Sequence, residues 1–568
     1  MKNKVLNLQE LSFENVELLN SLSEETAIEL EKVIAEISEG YGDNLDWLLS
    51  SVVSRDIFAG DFFFNLCLFN LAKRKLSEDD YQLILVGNKG LKKALAKYLE
   101  ETKIQVRIEP VKPKNNWKVI LKNRIKPAYL LYHLFSSWVF SRIYLFDKRL
   151  LPEKELNIID CFVIDDNFKD FADKNRYFPG ITRYLNPSER ERTFFSPNFF
   201  GTLNYRKLFR EARENREVFI FKEEFLTAED YYRAFFHAFR VRNLIKKYKW
   251  ESPIEILFRE ELMKNRFNLN SALAILNYSF FKRLKEKRVK LGLVLDWFEN
   301  QSVDKGFNLG VNTFFPEAKH GGYQGFPLIP NYIHLYPTDY EKKNKLIPDE
   351  ILVMGEGLKE NIKRFSRGIS VDVAPAFRFS YLWNERRSYP DNNFFQILIS
   401  LPMAWGDCYE MCEIIAEVIP FLKDEEVVLK IKPHPTAKRE KVKRLFQIFN
   451  INEEHLVDGD FSEIIEKTNL LISRESSTCL ETLARGIPVI VLGNRKGLDF
   501  NSIPREITGD IWQKCFDAKE LREKIQFYFD RREQEGLFAE QGKRIRGKYF
   551  SPLSVEGVER IFSKKQSI

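Results

Sequence analysis

The feature that most constrains this chain is a texture that occurs twice: short runs of aliphatic and β-branched residues alternating with segments of helical period. In the first series, apolar runs at 82–86 and 106–108 flank a helical pattern at 91–100. Further runs follow at 158–164, 218–221, 290–296, 320–323 and 351–354, with helical patterns at 228–248 and 271–287. The second series is cleaner, with runs at 396–401, 427–432, 470–473 and 488–492 separated by helical patterns at 409–421, 439–449 and 479–485; a helical remainder fills 519–548. Alternation of this kind predicts parallel, doubly wound sheets, because a crossover helix is what returns a chain to begin the next parallel strand. Ahead of the first series, 25–38 and 61–75 carry apolar residues at helical spacing. The expected fold is therefore α/β, with two Rossmann-like domains facing a cleft. Its parts are a helical N-terminal region at 1–75, a Rossmann-like domain at 76–375 enlarged by a helical insertion, and a second at 376–568 closing in helices. Ligands of open α/β sheets bind at the carboxyl ends of strands, which puts the expected site in that cleft.

Composition narrows the class. Of 568 residues, 44% are hydrophobic, which excludes a disordered chain and supports several packed cores. The six cysteines, at 67, 161, 408, 412, 479 and 515, are scattered without a CxxC pair, as expected of reduced thiols in a cytoplasmic protein. Cys408 and Cys412 could share a helical face, but no further Cys or His follows at zinc-site spacing. The first residues are broken by acids and amides and lack the apolar core of a signal peptide. The formal charge of +7 is unevenly spread. Segments 111–126 and 428–444 each carry +6, so the remainder is slightly acidic. The first patch, Lys112, Lys114, Lys118, Lys122, Arg124 and Lys126, precedes an aromatic-rich stretch from Ala128 to Phe146 that contains His133, three serines and Arg142. A basic run beside an amphipathic helix is the pattern of a helix lying on an anionic bilayer, yet the stretch reads first as a helix buried between domains behind a solvated charge run, next as peripheral contact with the inner face of the cell membrane, and last as a true span.

Three segments carry chemistry. In Lys430-Ile-Lys432-Pro-His434-Pro435 a strand runs into a histidine held between two prolines, so imidazole and Lys432 can meet an anion at the cleft. In Ser473-Arg-Glu-Ser476-Ser477-Thr478-Cys-Leu-Glu481 a buried strand runs into hydroxyl residues that open a helix. Its free N–H groups suit a phosphate, and Glu481 can accept from a ribose. In Leu293-Val-Leu-Asp296-Trp-Phe-Glu299-Asn300, followed by His320-Gly-Gly-Tyr-Gln324, carboxylates just past a strand are candidates for general base or nucleophile, with Glu299 preferred to Asp296. His320 and Gln324, among glycines, are candidate acceptor or sugar contacts. Gly355-Glu356-Gly357 is too short for a phosphate loop and reads as a strand-to-helix turn. No DxD pair stands at a strand end, so phosphate charge is expected to be met by His434, Lys432 and the helix terminus, with no metal and no cofactor besides the nucleotide-sugar co-substrate.

At His434-Pro435 and Ser476-Ser477 the chain resembles GT-B glycosyltransferases that use CMP-activated acidic sugars: bacterial sialyltransferases and the Kdo transferases of capsule and lipopolysaccharide assembly. The resemblance spans roughly residues 290 to 495 at motif level. It implies that these two motifs bind the nucleotide phosphate and its surroundings, and that a nonulosonic or Kdo-type sugar passes from a CMP donor to a glycan or glycolipid acceptor. Where the sialyltransferases carry an acidic-acidic-Gly motif, this chain has Asp296-Trp-Phe-Glu299-Asn300. A UDP- or GDP-hexose donor, or a CDP-glycerol-type phosphotransfer, would also suit a Lys-Pro-His-Pro segment followed by a Ser-rich helix start. The basic runs alone would allow nucleic-acid binding, but no recognised nucleic-acid motif accompanies them.

Overall fold

The computed structural model describes residues 4–111, 116–145, 151–163, 168, 171, 175–199, 204–384, 394–422, 426–474, 476–532, 534 and 536–563; for 116–123 it describes the backbone alone. Within these, fourteen short strands pair in parallel throughout and form three sheets. A three-stranded sheet consists of β1 (Val5–Asn7), β2 (Leu83–Val86) and β3 (Arg107–Pro110), in that order. A six-stranded sheet uses β4 (Leu156–Val163), β5 (Thr193–Phe199), β6 (Leu291–Trp297), β7 (Lys319–Gln324), β8 (Glu350–Val353) and β9 (Ser370–Val373), in the order β5-β4-β6-β7-β8-β9. A five-stranded sheet takes β10 (Phe395–Ser400), β11 (Val427–Lys432), β12 (Leu470–Ser473), β13 (Val489–Leu492) and β14 (Trp512–Cys515), in the order β11-β10-β12-β13-β14.

The two larger sheets are the two Rossmann-like units the alternation predicts. Their central strands are buried along nearly their whole length, as parallel strands covered by helices on both faces must be. Both sheets also share one winding. The chain adds its second strand on one side of the first, then crosses over to add the third on the other side. The strand order therefore reverses between β4 and β6 in one sheet and between β10 and β12 in the other. A crevice opens at such a switch point, beyond the carboxyl ends of the strands.

Several expectations change. The runs at 82–86 and 106–108 do not extend the Rossmann sheet; the first pairs with Val5–Asn7, about 75 residues upstream, and the second pairs with the first, in a sheet of their own. The run at 218–221 contributes a single bridge, Phe219 to Phe195, while Thr193–Phe199, Ser370–Val373 and Trp512–Cys515 are additional strands. The C-terminal helices do not all belong to the second domain. The chain leaves it after the Ala539–Tyr549 helix, Ser551 N–H donates to Met354 O at 2.7 Å, and the Val555–Phe562 helix buries Val558, Ile561 and Phe562 in the core beneath β4 and β6. This return explains Gly355 and Gly357: a Cβ on Gly355 would lie 2.2 Å from the Tyr549 carbonyl carbon, and one on Gly357 2.6 Å from its ring. All six cysteines are buried and unbridged.

Candidate active site

Glu299 stands just past β6, at the switch point of the first sheet. Three constraints hold it there. Asn300 adopts a left-handed conformation (φ 55°) that turns the chain sharply into the Ser302–Phe314 helix. Asp304, one turn inside that helix, accepts from the N–H groups of Glu299 (3.1 Å) and Gln301 (3.0 Å). Finally, Asn300 rests on buried charges: its amide donates to His334 O (2.7 Å) and Glu341 (3.1 Å), and its side-chain oxygen accepts from Lys305 Nζ (3.0 Å). Glu341 lies 2.7 Å from both Lys305 and Arg55, and Arg55 reaches Glu31 at 2.8 Å. Burial works against the charge of Glu341, but Arg55 and Lys305 hold its pKa down to about 2, whereas burial pushes Glu31 up to about 7. The N-terminal helical region thus clamps the loop that carries Glu299.

The Glu299 carboxylate itself touches neutral donors. Trp297 Nε1 donates to Oε1 at 2.8 Å and Gln301 Nε2 to Oε2 at 2.7 Å. Burial raises its pKa, opposed by those hydrogen bonds and by the charge of Arg378. A half-buried carboxylate with a raised pKa and no cation bonded to it among the described residues is chemically suited to take a proton.

At the switch point of the second sheet, β12 runs through Arg474, pinned by Asp407 (2.7 Å) and Glu410 (2.8 Å), to Ser476, which caps the Ser477–Ala484 helix by accepting from Thr478 N–H at 3.2 Å. The hydroxyl of Thr478 is buried and has no hydrogen-bond partner among the described residues. One turn in, Glu481 is buried and accepts from Tyr381 OH at 2.7 Å. Burial lifts its pKa to about 7 against the pull of Tyr381, Arg378 and Arg176. After β11, His434 Nδ1 accepts from Thr436 N–H at 3.3 Å, leaving Nε2 to carry the proton of a neutral ring. Burial, with Arg176 and Arg378 nearby, depresses the imidazole pKa to about 4, so His434 offers a hydrogen bond and not a charge. Pro435 beside it is exposed.

Arg378, which the sequence did not single out, links the two halves. It follows β9 in the connection toward the second domain, is half-buried, and lies 5.8 Å above the Trp297 ring. Its charge bears on Glu299 and His434 as well as on Glu481, whose partner Tyr381 lies three residues beyond it. Burial and the neighbouring Arg176 lower its pKa. Neither arginine has a hydrogen bond or ion pair to a described residue. A lone Arg in Ala-Phe-Arg-Phe carries no sequence pattern; its place depends on β9, which the apolar runs did not reveal.

Other candidates lie elsewhere. Asp296 is fully buried inside β6, where Asn308 donates to it at 2.9 Å; burial and the charge of Asp160 on the adjacent strand β4 push its carboxyl well above the usual range, and burial with the charge of Asp304 does the same to Asp160. His320 is buried beneath the same network, its ring nitrogens 2.8 Å from the amide oxygens of Asn308 and Asn312. Gln324 is fully buried, with Nε2 donating to Leu335 O at 3.3 Å. None of these three side chains reaches the cleft: alternation along β6 and β7 turns them into the layer between sheet and helix. Lys432 directs its ammonium to Gly459 O, beside Asp458 and Asp460, and away from His434. Positive charge in the cleft comes from Arg378 and Arg176. Among the described residues no group of three or more His, Cys, Asp or Glu side chains is disposed to hold a metal ion.

No protein-family model matches the chain, and no curated protein matches it. Solved structures overlap it loosely. A putative UDP-N-acetylglucosamine 2-epimerase from Listeria monocytogenes is 13% identical, covering 72% of this chain and 95% of its own, with a TM-score of 0.42. The wall teichoic acid polymerase TagF is 10% identical over 83% of this chain and 96% of its own, with a TM-score of 0.35. The S. aureus protein TarM is 14% identical over 51% of this chain and 58% of its own, with a TM-score of 0.31. The Rossmann-like character of the two larger sheets rests on their strand order.

Proposed function

We propose that this protein is a GT-B-type glycosyltransferase that moves an acidic sugar, of the Kdo or other nonulosonic type, from a CMP-activated donor to a surface glycan or glycolipid. The observation that carries this reading is Arg378, half-buried above Trp297 with no hydrogen bond or ion pair to a described residue, whose charge bears on Glu299, Glu481 and His434. An unpaired guanidinium in a half-buried cleft favours an anionic ligand, and the sugar carboxylate supplies one besides the phosphate. The phosphate would lie against His434 Nε2–H and the helix start at Ser476, Ser477 and Thr478. The acceptor hydroxyl attacks the anomeric carbon, its proton passes to Glu299, and the bond from that carbon to the phosphate oxygen breaks. The electron pair leaves on CMP, whose added negative charge is met by His434 and the helix N–H groups.

The test is thermal unfolding with CMP, CDP, UDP and GDP. CMP at 100 times its dissociation constant should add about 2.7 kcal/mol of stability. His434→Ala should abolish that gain with its unliganded melting temperature unchanged, and Arg378→Gln should keep the CMP response yet lose the extra affinity for a CMP-linked acidic sugar. Stabilisation by UDP or GDP alone, or an undiminished CMP response in His434→Ala, would sink the donor assignment.

A further inference from the structure

The Asn116–Tyr144 helix carries apolar residues on its outer face as well as its inner one. Its polar side chains point inward: His133 Nδ1 lies 2.8 Å from Tyr205 OH, Ser137 Oγ lies 3.5 Å from Tyr231 OH, and Ser136 and Ser141 are buried. Leu130 and Leu134 join the core, but Tyr129, Leu131, Phe135 (58% exposed) and Ile143 (59%) point outward. A helix facing water shows the opposite arrangement. The Ala228–Lys247 helix packs beside it and repeats the feature. Tyr232 is 64% exposed and Phe239 41%, with the Phe236 ring tilted against both at 4.3 and 5.4 Å. Arg242 and Lys246, exposed, fall on the same side of that helix as Phe239, three and seven residues on. The first helix has no acidic residue, and Arg124 is exposed near its start. The second has two, Glu229 and Asp230, at its first turn, where Asp230 is bound by Arg283.

We infer that this two-helix face docks on the surface of an anionic phospholipid bilayer, with the aromatics entering the headgroup layer and the Lys and Arg side chains meeting lipid phosphates. Among the described residues no helix is long and apolar enough to cross a membrane, so the contact lies in the plane of the interface. Charge decides between occupants. A second copy would set Arg242 and Lys246 against their like, and a nucleic acid would leave Leu131 and Ile143 facing water. The helix takes in all of the basic run but Lys112 and Lys114, which lie outside the described residues, as do the side chains of Lys118 and Lys122.

Flotation of the full chain tests this with vesicles of phosphatidylcholine alone and of phosphatidylcholine with phosphatidylglycerol. The chain should float with the anionic vesicles, hardly with the neutral ones, and less as salt rises. Phe135→Ser with Tyr232→Ser should weaken partitioning about tenfold or more at unchanged melting temperature. If that pair unfolds, Arg242→Glu with Lys246→Glu decides, with the same loss expected. Equal flotation with both vesicle types, no flotation, or full flotation of both double variants overturns the proposal. So does a wild-type dimer that Phe135→Ser with Tyr232→Ser turns into a monomer while neither floats, which gives the face to a second copy. Salt-sensitive binding of an RNA or DNA oligomer without flotation gives it to a nucleic acid.

Discussion

The carboxylates on either side of Trp297 and Phe298 occupy two different kinds of place. Asp296 lies within β6, fully buried beside the charge of Asp160, and accepts from Asn308. Glu299, three residues on, lies past the strand end, meets two neutral donors and feels the charge of Arg378 across open space. Burial raises both pKa values, but only one of the two groups is accessible to another molecule. A perturbed carboxylate is therefore a poor guide to function unless the path to it is known. The same contrast separates His320, enclosed by two asparagines, from His434, whose Nε2 is left to donate.

The largest expected effect sharpens this comparison. Glu299→Gln keeps the hydrogen-bonding shape but removes the base. Turnover with a saturating donor should fall by about 10²–10⁴-fold while the melting temperature stays within experimental scatter. A variant that retains turnover would move the proton acceptor elsewhere. Asp296→Ala should do the reverse, costing about 1–3 kcal/mol in denaturant unfolding because Asn308 and Asp160 lose their partner, with turnover per folded molecule intact. Should its activity collapse at full stability, the two carboxylates would have exchanged roles. The smallest effect concerns Glu481. Its pKa is about 7 when folded against 4.5 for the free group, so the folded chain holds a proton that the unfolded chain has released between those values. Stability contributed by this group falls as pH rises from 4.5 to 7. Glu481→Gln lacks that proton equilibrium, so without nucleotide the wild type should lose a few degrees of melting temperature relative to the variant between pH 5 and pH 8. Parallel melting curves at both pH values would place the Glu481 pKa in the ordinary range.

Much of the architecture was legible because burial writes itself into parallel strands. The runs at 427–432 and 470–473 coincide with β11 and β12, and the hydroxyl cluster at 476–478 opens the helix it was expected to open. What escaped notice were strands defined by their partners. Val5–Asn7 is a three-residue strand whose pairing with Leu83–Leu85 no local pattern announces, and Ser370–Val373 is a half-exposed edge strand with an acid inside it. The candidate site divides along the same line. His434, Ser476 and Glu299 follow strands that could be read, whereas Arg378 follows one that could not.

By itself the sequence determined that this chain folds into two parallel α/β units and which loops leave their strands at the carboxyl ends, because apolar period and turn chemistry act over a few residues. Only the tertiary structure decided which charges share the cleft. Whether a carboxylate meets an amide inside the sheet or an arginine across the gap depends on side-chain direction and strand order. Both are set by contacts between residues far apart in the chain, such as Tyr381 with Glu481 and Arg55 with Glu341.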